Sequence, residues 1–485
     1  MKKAGIIGSG IGGLALALRW RKKGYDVTVF EANDFLGGKL AQMKDKGYRW
    51  DLGPSLFTQP WLITELFELF NKNPQDYFQF QQLETICHYF WDDGTRLSTF
   101  KNQEKTAKEF HEILGETPES ILSYFKEIED NYSTISPLFI ENPLNQWNTW
   151  ISSQAIKGYL NLHKLGVFST MNRFNETKFK NPKTVQLFNR YATYNGSDPY
   201  KTPGTLTVIP HLEYNQGAFF PKGGIITIIQ SLVKLAKEVG IQFKTNEKVK
   251  KILFEGNKAK GLISIKGEYE FDILASNSDI RPSYQKLIPQ QFYPEKLINQ
   301  EKSSSGIIFY WGIKKSFPEL DVHNIFFANE YPKEFKAIFE EKTMADDITI
   351  YLHISNKIEK EDAPKGCENW FLLINAPTNQ GQNWDDLIKK TRKNILDRIS
   401  LVLGENIENL IETEDYLDPR RIEERTSSSG GSLYGNASNN RFAAFLRHPN
   451  VRNKMKNLFW VGGSVHPGGG IPMCLNSAKI VDKIS

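Results

Sequence analysis

Residues 3–31 read KAGIIGSGIGGLALALRWRKKGYDVTVFE. Lys3 to Ile7 is a short apolar strand, Ser9 to Gly13 a glycine turn, Leu14 to Lys23 a helix closed by Gly24 at its C-cap, and Asp26 to Glu31 a second strand. A strand, helix and strand of this length form one unit of a parallel sheet. Within it, Gly8-Ser9-Gly10-Ile11-Gly12-Gly13 spells G-x-G-x-x-G between the strand and the helix, and Glu31 follows about twenty residues later at the end of the second strand. Gly8 permits the tight turn, Gly10 lets a pyrophosphate approach the backbone, Gly13 lets helix and strand pack, and Glu31 can accept hydrogen bonds from ribose hydroxyls. The chain therefore begins with a dinucleotide-binding fold.

The rest of the sequence sets bounds on what surrounds that unit. The 485 residues exceed what one hydrophobic core supports, so two domains are expected. Hydrophobic and charged fractions of 40% and 24% are those of an ordinary globular protein. An aromatic share of 13%, with 32 Phe, is high and points to large apolar cavities or dense aromatic packing. A net charge of +5 with no basic arm gives no reason to expect nucleic acid. Cys87, Cys367 and Cys474 lie far apart, matching neither a disulfide framework nor a metal pattern, so no metal is expected and a reducing cytoplasmic setting fits best. The opening residues imitate a signal peptide, but their glycines break the apolar helix that one needs, and the uncharged stretch 457–478 is likewise too rich in glycine and proline for a membrane span.

From about Trp61 to Lys201 the pattern turns to long amphipathic helices such as Trp61–Phe70 and Glu109–Asn131, interrupted by Trp- and Tyr-rich segments. Lys222 to Asp279 returns to a sheet pattern: a helix over Ile225–Val239, a stop at Gly240, a strand over Ile241–Lys244, then strand pairs turning at Glu255–Lys258 and Lys266–Gly267. Strand-like runs recur at Ile307–Ile313, Ile348–Ile354, Trp370–Asn375 and Asn457–Gly462. The α/β, Rossmann-like nucleotide domain is thus expected to be assembled from 1–70, 214–285 and 425–485, with 71–213 and 286–424 forming an inserted α+β substrate-binding and membrane-associating region that includes a helical membrane-facing part.

Gly37-Gly38-Lys39 and then Asp51-Leu52-Gly53-Pro54 follow Glu31 in the succession of the glutathione-reductase-like and amine-oxidase-like FAD proteins. Phe220-Pro221-Lys222-Gly223-Gly224 and Asn246 to Ile252 resemble further segments of that class. Ser464-Val465-His466-Pro467-Gly468-Gly469-Gly470-Ile471-Pro472, with Arg190 to Tyr200 and Gly431 to Gly435, resembles the carotenoid (phytoene) desaturase family over nearly the whole chain. His323-Asn324-Ile325-Phe326-Phe327 is similar to the branch acting on end-hydroxylated acyclic carotenoids.

That resemblance implies FAD held by Gly8, Gly10, Gly13, Glu31, Lys39, Gly53, Val249, Gly463, Ile471 and Pro472. The family usually has arginine at the Lys39 position, so a bidentate grip on phosphate becomes a point-charge contact. The resemblance also implies hydride transfer from an allylic carbon to flavin N5, driven by delocalisation of the resulting cation along the polyene. Asp198, Arg190 and His466 are the candidate catalytic residues, and Tyr194 and His323 the candidate substrate contacts. Arg190 stays protonated and could only orient or stabilise. Asp198 before Pro199 could instead form a turn and His466 could cap a helix.

A carotenoid lives in membranes, so contact with the inner face of the cell membrane is expected. Lys157 to Lys183, with six Lys or Arg among Tyr159, Leu160, Leu165, Phe168 and Phe174, is the candidate docking segment. The flavin's electron acceptor is unknown. A general phytoene-type desaturase, a carotenoid cis-trans isomerase and a non-enzymatic lipid carrier on the same fold stay open, the carrier disfavoured by the intact glycine fingerprint.

Overall fold

The computed structural model describes residues 1–144, 146–151, 158, 165–440 and 447–485. Part of the candidate docking segment (157 and 159–164, with Tyr159 and Leu160) lies outside them.

Two large sheets organise the described residues. The first follows the path Val249–Glu255, Lys258–Ser264, Met455–Trp460, Ile273–Ser276, Lys3–Ile7, Asp26–Phe30 and Gln242–Lys244. Lys3–Ile7 pairs in parallel with Asp26–Phe30 and with Ile273–Ser276, which pairs in parallel with Met455–Trp460. Parallel strands joined by helical crossovers are covered on both faces, and the strand sequences show it. Ile6, Val27 and Val29 pack under the helices Ile11–Lys22, Ile226–Glu238 and Ile471–Ile484. Ile7, Phe30, Leu274, Leu458 and Trp460 point the other way, toward the helix Ile280–Leu287.

The second sheet follows the path Ile411–Leu417, Ser305–Ile313, Glu368–Ala376, Ile350–Ile354, His323–Phe326, Thr85–Phe90 and Arg96–Phe100. Its strands alternate strictly. Ile307, Phe309, Trp311, Ile350, Leu352, Trp370, Leu372 and Ile374 bury one face against the helix Trp384–Leu403. Ile308, His323, Ile325, Tyr351, Phe371 and Leu373 occupy the opposite face, which lines a large cavity.

Two expectations are corrected. The helix expected over Glu109–Asn131 is two helices, Gln103–Leu114 and Pro118–Phe139, because Gly115 takes the left-handed conformation (φ 70°) and Thr117 caps a new start at Ser120 N. The stretch from Trp61 to Lys201 is also not wholly helical. Thr85–Phe90 and Arg96–Phe100 form an antiparallel hairpin around the Asp93-Gly94 turn, and the hairpin enters the second sheet beside His323–Phe326.

Several histidines are buried and held neutral. Burial pushes His353 and His466 down to about 4 and His448 to about 3, and His323 well below its ordinary value. An unfolded chain would protonate each near 6.5, so it binds more protons than the folded protein between about pH 6.5 and 4. Stability is therefore full above that window and falls as pH drops through it, by about 1.4 kcal/mol per pH unit for each such histidine. Burial acts the opposite way on Glu334, raised to about 7, and Asp198, raised to about 6. Thermal unfolding followed from pH 7.5 to 4.5 should therefore show a partly offset, shallow fall in Tm below pH 6.5; a rise in Tm over that window would contradict the histidine burial.

Candidate functional site

The register of the parallel sheet sets Ile7 opposite Ser276, and Ser276 opposite Trp460, so three strands end at one level. The loops that leave them are packed backbone to backbone. A Cβ on Gly12 would stand 3.1 Å from Gly462 Cα and one on Gly13 2.3 Å from the Gly8 carbonyl oxygen, while one on Gly10 would stand 2.6 Å from the Asn277 side-chain Nδ2. Beside them Glu31 is buried, its Oε2 accepting from Ser9 N (3.0 Å) and Ser9 Oγ (2.6 Å) and its Oε1 from Asn33 N (3.0 Å).

Two cations, the half-buried Lys39 and the buried Arg447, lie at this end of the cavity without an ion-pairing carboxylate among the described residues. Lys39 Nζ donates to the carbonyls of Ser432 (3.2 Å) and Leu433 (2.9 Å), and burial lowers its pKa. Arg447 donates to Tyr434 O (3.1 Å), Asn195 Oδ1 (2.7 Å) and Asn436 O (3.0 Å), and burial lowers it to about 10, so it is charged at neutral pH. Buried positive charge without a counter-ion is costly unless an anion completes the site. The donor set therefore fits the pyrophosphate of a dinucleotide, with the Gly468–Gly470 turn and the N-terminus of the Ile471–Ile484 helix adding a positive dipole end.

One cavity of about 1150 Å³ joins this cradle to an apolar chamber. Glu31, Val249, Gly8, Gly10, Lys39, Gly53, Gly463, Ile471 and Pro472 line it together with the alternating face of the second sheet. The opposing wall is helical and shows its period: Tyr132, Ile135 and Phe139 lie on one face of Pro118–Phe139, and Leu206, Ile209, Leu212 and Glu213 recur at three- and one-residue steps. Its volume exceeds the roughly 300–1,000 Å³ of ordinary small-molecule sites.

Within the chamber a polar cluster is fixed by Arg190. Its guanidinium donates to the hydroxyls of Tyr194 (2.8 Å), Tyr89 (2.9 Å) and Tyr191 (3.1 Å), lies over all three rings, and is 3.5 Å from Glu213. A second chain runs from Ser55 Oγ to the Tyr351 hydroxyl (2.7 Å) and on to His323 Nδ1 (2.8 Å), and begins two residues after Gly53 of the cradle.

Arg190, Tyr194 and His323 thus line the cavity, whereas Asp198 and His466 do not. Asp198 accepts from Tyr200 N (2.8 Å) in a turn before Pro199, and burial raises its carboxyl to about 6. His466 Nε2 donates to the Asn142 carbonyl (3.0 Å). Gly13 lies behind the cradle, packed on Gly8. Sequence reasoning missed Arg447, Ser55, Tyr351 and Glu213. The Gly-Pro-Ser run after Asp51 was the only local signal for any of them. Among the described residues no group of three or more His, Cys, Asp or Glu could hold a metal ion.

Residues 11–481 match the family described as flavin containing amine oxidoreductase, and the chain belongs to it, with FAD as its cofactor. It is 51% identical over 480 residues, covering 99% of this chain and 98% of the relative, to a 1-hydroxycarotenoid 3,4-desaturase from Flavobacterium sp. (strain P99-3). A 4,4'-diaponeurosporene oxygenase from Staphylococcus aureus (strain MSSA476) is 30% identical, covering 99% and 97%. The fold is shared with cyclohexylamine oxidase from Brevibacterium oxydans IH-35A, at 13% identity, a TM-score of 0.64 and coverage of 100% and 98%.

Replacing Arg447 by Met removes a charged donor worth about 1.5–3 kcal/mol to an anion. FAD affinity, titrated by flavin fluorescence on the apoprotein, is expected to fall about 10- to 100-fold; an unchanged affinity would place the pyrophosphate elsewhere.

Proposed function

We propose that the protein desaturates an acyclic carotenoid, introducing the 3,4 double bond of a 1-hydroxylated substrate. The observation that carries this is the single cavity in which a dinucleotide cradle opens into an aromatic and aliphatic chamber holding a small polar cluster. The whole-length identity of 51% to a desaturase of that name supports the same substrate class.

The cofactor-binding roles fall to Gly8, Gly10, Gly13, Glu31, Lys39, Gly53, Val249, Gly463, Ile471 and Pro472, within segments 1–70, 214–285 and 425–485. FAD, when bound, supplies a hydride acceptor at N5. The chain's residues do the rest. Ile325, Phe371, Leu373, Ile135 and Phe139 take up the hydrocarbon, each buried CH₂ contributing about 0.8 kcal/mol, so the substrate needs no charged handle. The same walls keep water from the reacting carbons. Tyr194, its hydroxyl held by Arg190, and His323, held by Tyr351, are the groups that meet a terminal hydroxyl. A site built to bond a hydroxyl discriminates strongly against a substrate lacking it.

The substrate enters from a membrane in this reading. Trp150, Leu165 and Val167 line the cavity, and their neighbours Ile151 (68% exposed) and Phe168 (79% exposed) present apolar side chains outward. No helix among the described residues is long and apolar enough to cross a bilayer. These side chains are suited to peripheral insertion at the inner face of the cell membrane. Phe168→Asp should reduce co-sedimentation with anionic liposomes several-fold without altering FAD content; unchanged sedimentation would remove this surface from the account.

The decisive test is a substrate panel. FAD-loaded protein in liposomes should convert 1-hydroxylated acyclic carotenoids to red-shifted products two hydrogens lighter and leave the unhydroxylated partners at least about 100-fold slower, a preference that His323→Ala should reduce. Equal action on phytoene-like substrates would make it a general desaturase. Unchanged mass with altered retention would make it an isomerase, and no turnover with flavin bound would return the carrier alternative.

A further inference from the structure

Desaturation must also dispose of a proton, and one cavity side chain is placed for it. Among the described residues five acidic ones line the cavity, Glu31, Glu213, Glu247, Asp279 and Glu424, the last of them exposed to solvent. Glu31 spends both oxygens on Ser9 and Asn33, Glu247 accepts from Ser264, and Asp279 caps the Ile280–Leu287 helix at Arg281 N. Glu213 differs. It is 2% exposed on the short helix that shares the chamber wall with Ile209 and Leu212, and its Oε2 accepts from the Tyr191 hydroxyl (2.7 Å) and lies 3.5 Å from Arg190. Its Oε1 is buried and has no hydrogen-bond partner among the described residues.

A structural arginine–carboxylate pair of this burial would use both oxygens in parallel bonds. Here the guanidinium is turned to three tyrosines instead, which leaves a carboxylate oxygen desolvated and unused. That is costly for stability alone and suits a proton acceptor. His323, the other basic group of the chamber, is held far below its ordinary pKa by burial and is a weak base.

We propose that Glu213 is the general base of the reaction and takes the proton through Oε1. This rests on the desaturase reading. Hydride leaves the allylic carbon with the electron pair of its C–H bond and passes to FAD. The C–H bond of the neighbouring carbon then breaks, its electrons form the new C=C, and its proton passes to Glu213, which returns it to water after the product leaves. Until then the carboxylate's negative charge faces the cationic polyene and lowers its energy. For a hydroxyl on C1 and a double bond at C3–C4, the proton comes from a carbon two positions from the hydroxyl. The base and the hydroxyl's partners must therefore share one chamber, as Glu213, Tyr194 and His323 do.

The test is turnover of a 1-hydroxylated acyclic carotenoid by FAD-loaded variants. Glu213→Gln should bind FAD and carotenoid as the wild type does and lose turnover by about 100-fold or more. Should the single variant lose FAD through the unbalanced Arg190 charge, the R190Q/E213Q double variant keeps the site neutral and is expected to show the same loss. Glu213→Gly should regain rate in proportion to added formate, which a merely structural carboxylate would not do. Turnover of Glu213→Gln or the double variant within about tenfold of wild type, or a Glu213→Gly defect that formate leaves untouched, would overturn the assignment. Inactivity of the wild type itself would instead sink the desaturase reading.

Discussion

Everything in the molecule depends on three parallel strands ending at the same level. Lys3–Ile7, Ile273–Ser276 and Met455–Trp460 come from distant parts of the chain, yet their register brings the loops after them into backbone contact around Asn277. Only glycine fits where those loops touch, so bare N–H groups collect at the carboxyl ends of the strands, where open parallel sheets bind ligands. The half-buried Lys39 and the buried Arg447 add positive charge beside them. The cradle is thus a consequence of sheet register and not of any one motif.

The second sheet turns that cradle into one end of a longer cavity. Its strands are apolar on both faces: one face packs on the Trp384–Leu403 helix, and the other is left as a wall opposite the helical segments around Tyr132 and Ile209. A shift of one residue in that alternation would exchange Trp370 and Leu372 for Phe371 and Leu373, fill the chamber with core side chains and expose cavity residues to the helix. The hairpin Thr85–Phe90 and Arg96–Phe100 widens this wall and brings Tyr89 to Arg190. The polar cluster is thereby held on two rigid elements, which suits positioned chemistry.

Much of this was legible in the sequence because its signals are local. The unit from Lys3 to Glu31, the helix Ile226–Glu238 with its stop at Gly240, the strand pairs to Glu270 and the last strand before Gly462 all carry their own turn residues and periods. The hairpin from Thr85 carries its own Asp93-Gly94 turn; what stays hidden in the sequence is its place beside His323–Phe326, more than two hundred residues away. The face of each second-sheet strand that lines the cavity was hidden because Ile307 and Ile308, or Leu372 and Leu373, are chemically alike and only packing separates them. Asp198 and His466 stand in segments that resemble the family well, but a turn and a carbonyl claim their side chains. Glu213 and Arg447 gave no signal because a lone charged residue in an irregular segment reads as surface until burial is known.

In this reading one cavity holds both the flavin and the bond it oxidises. Anaerobic addition of a 1-hydroxylated acyclic carotenoid to the FAD-loaded protein, with no other electron acceptor, tests it most directly. Flavin absorbance should bleach in a one-to-one ratio with the appearance of a carotenoid lengthened by one conjugated double bond. A new carotenoid formed while the flavin stays oxidised, or a flavin left unchanged beside bound substrate, would contradict it.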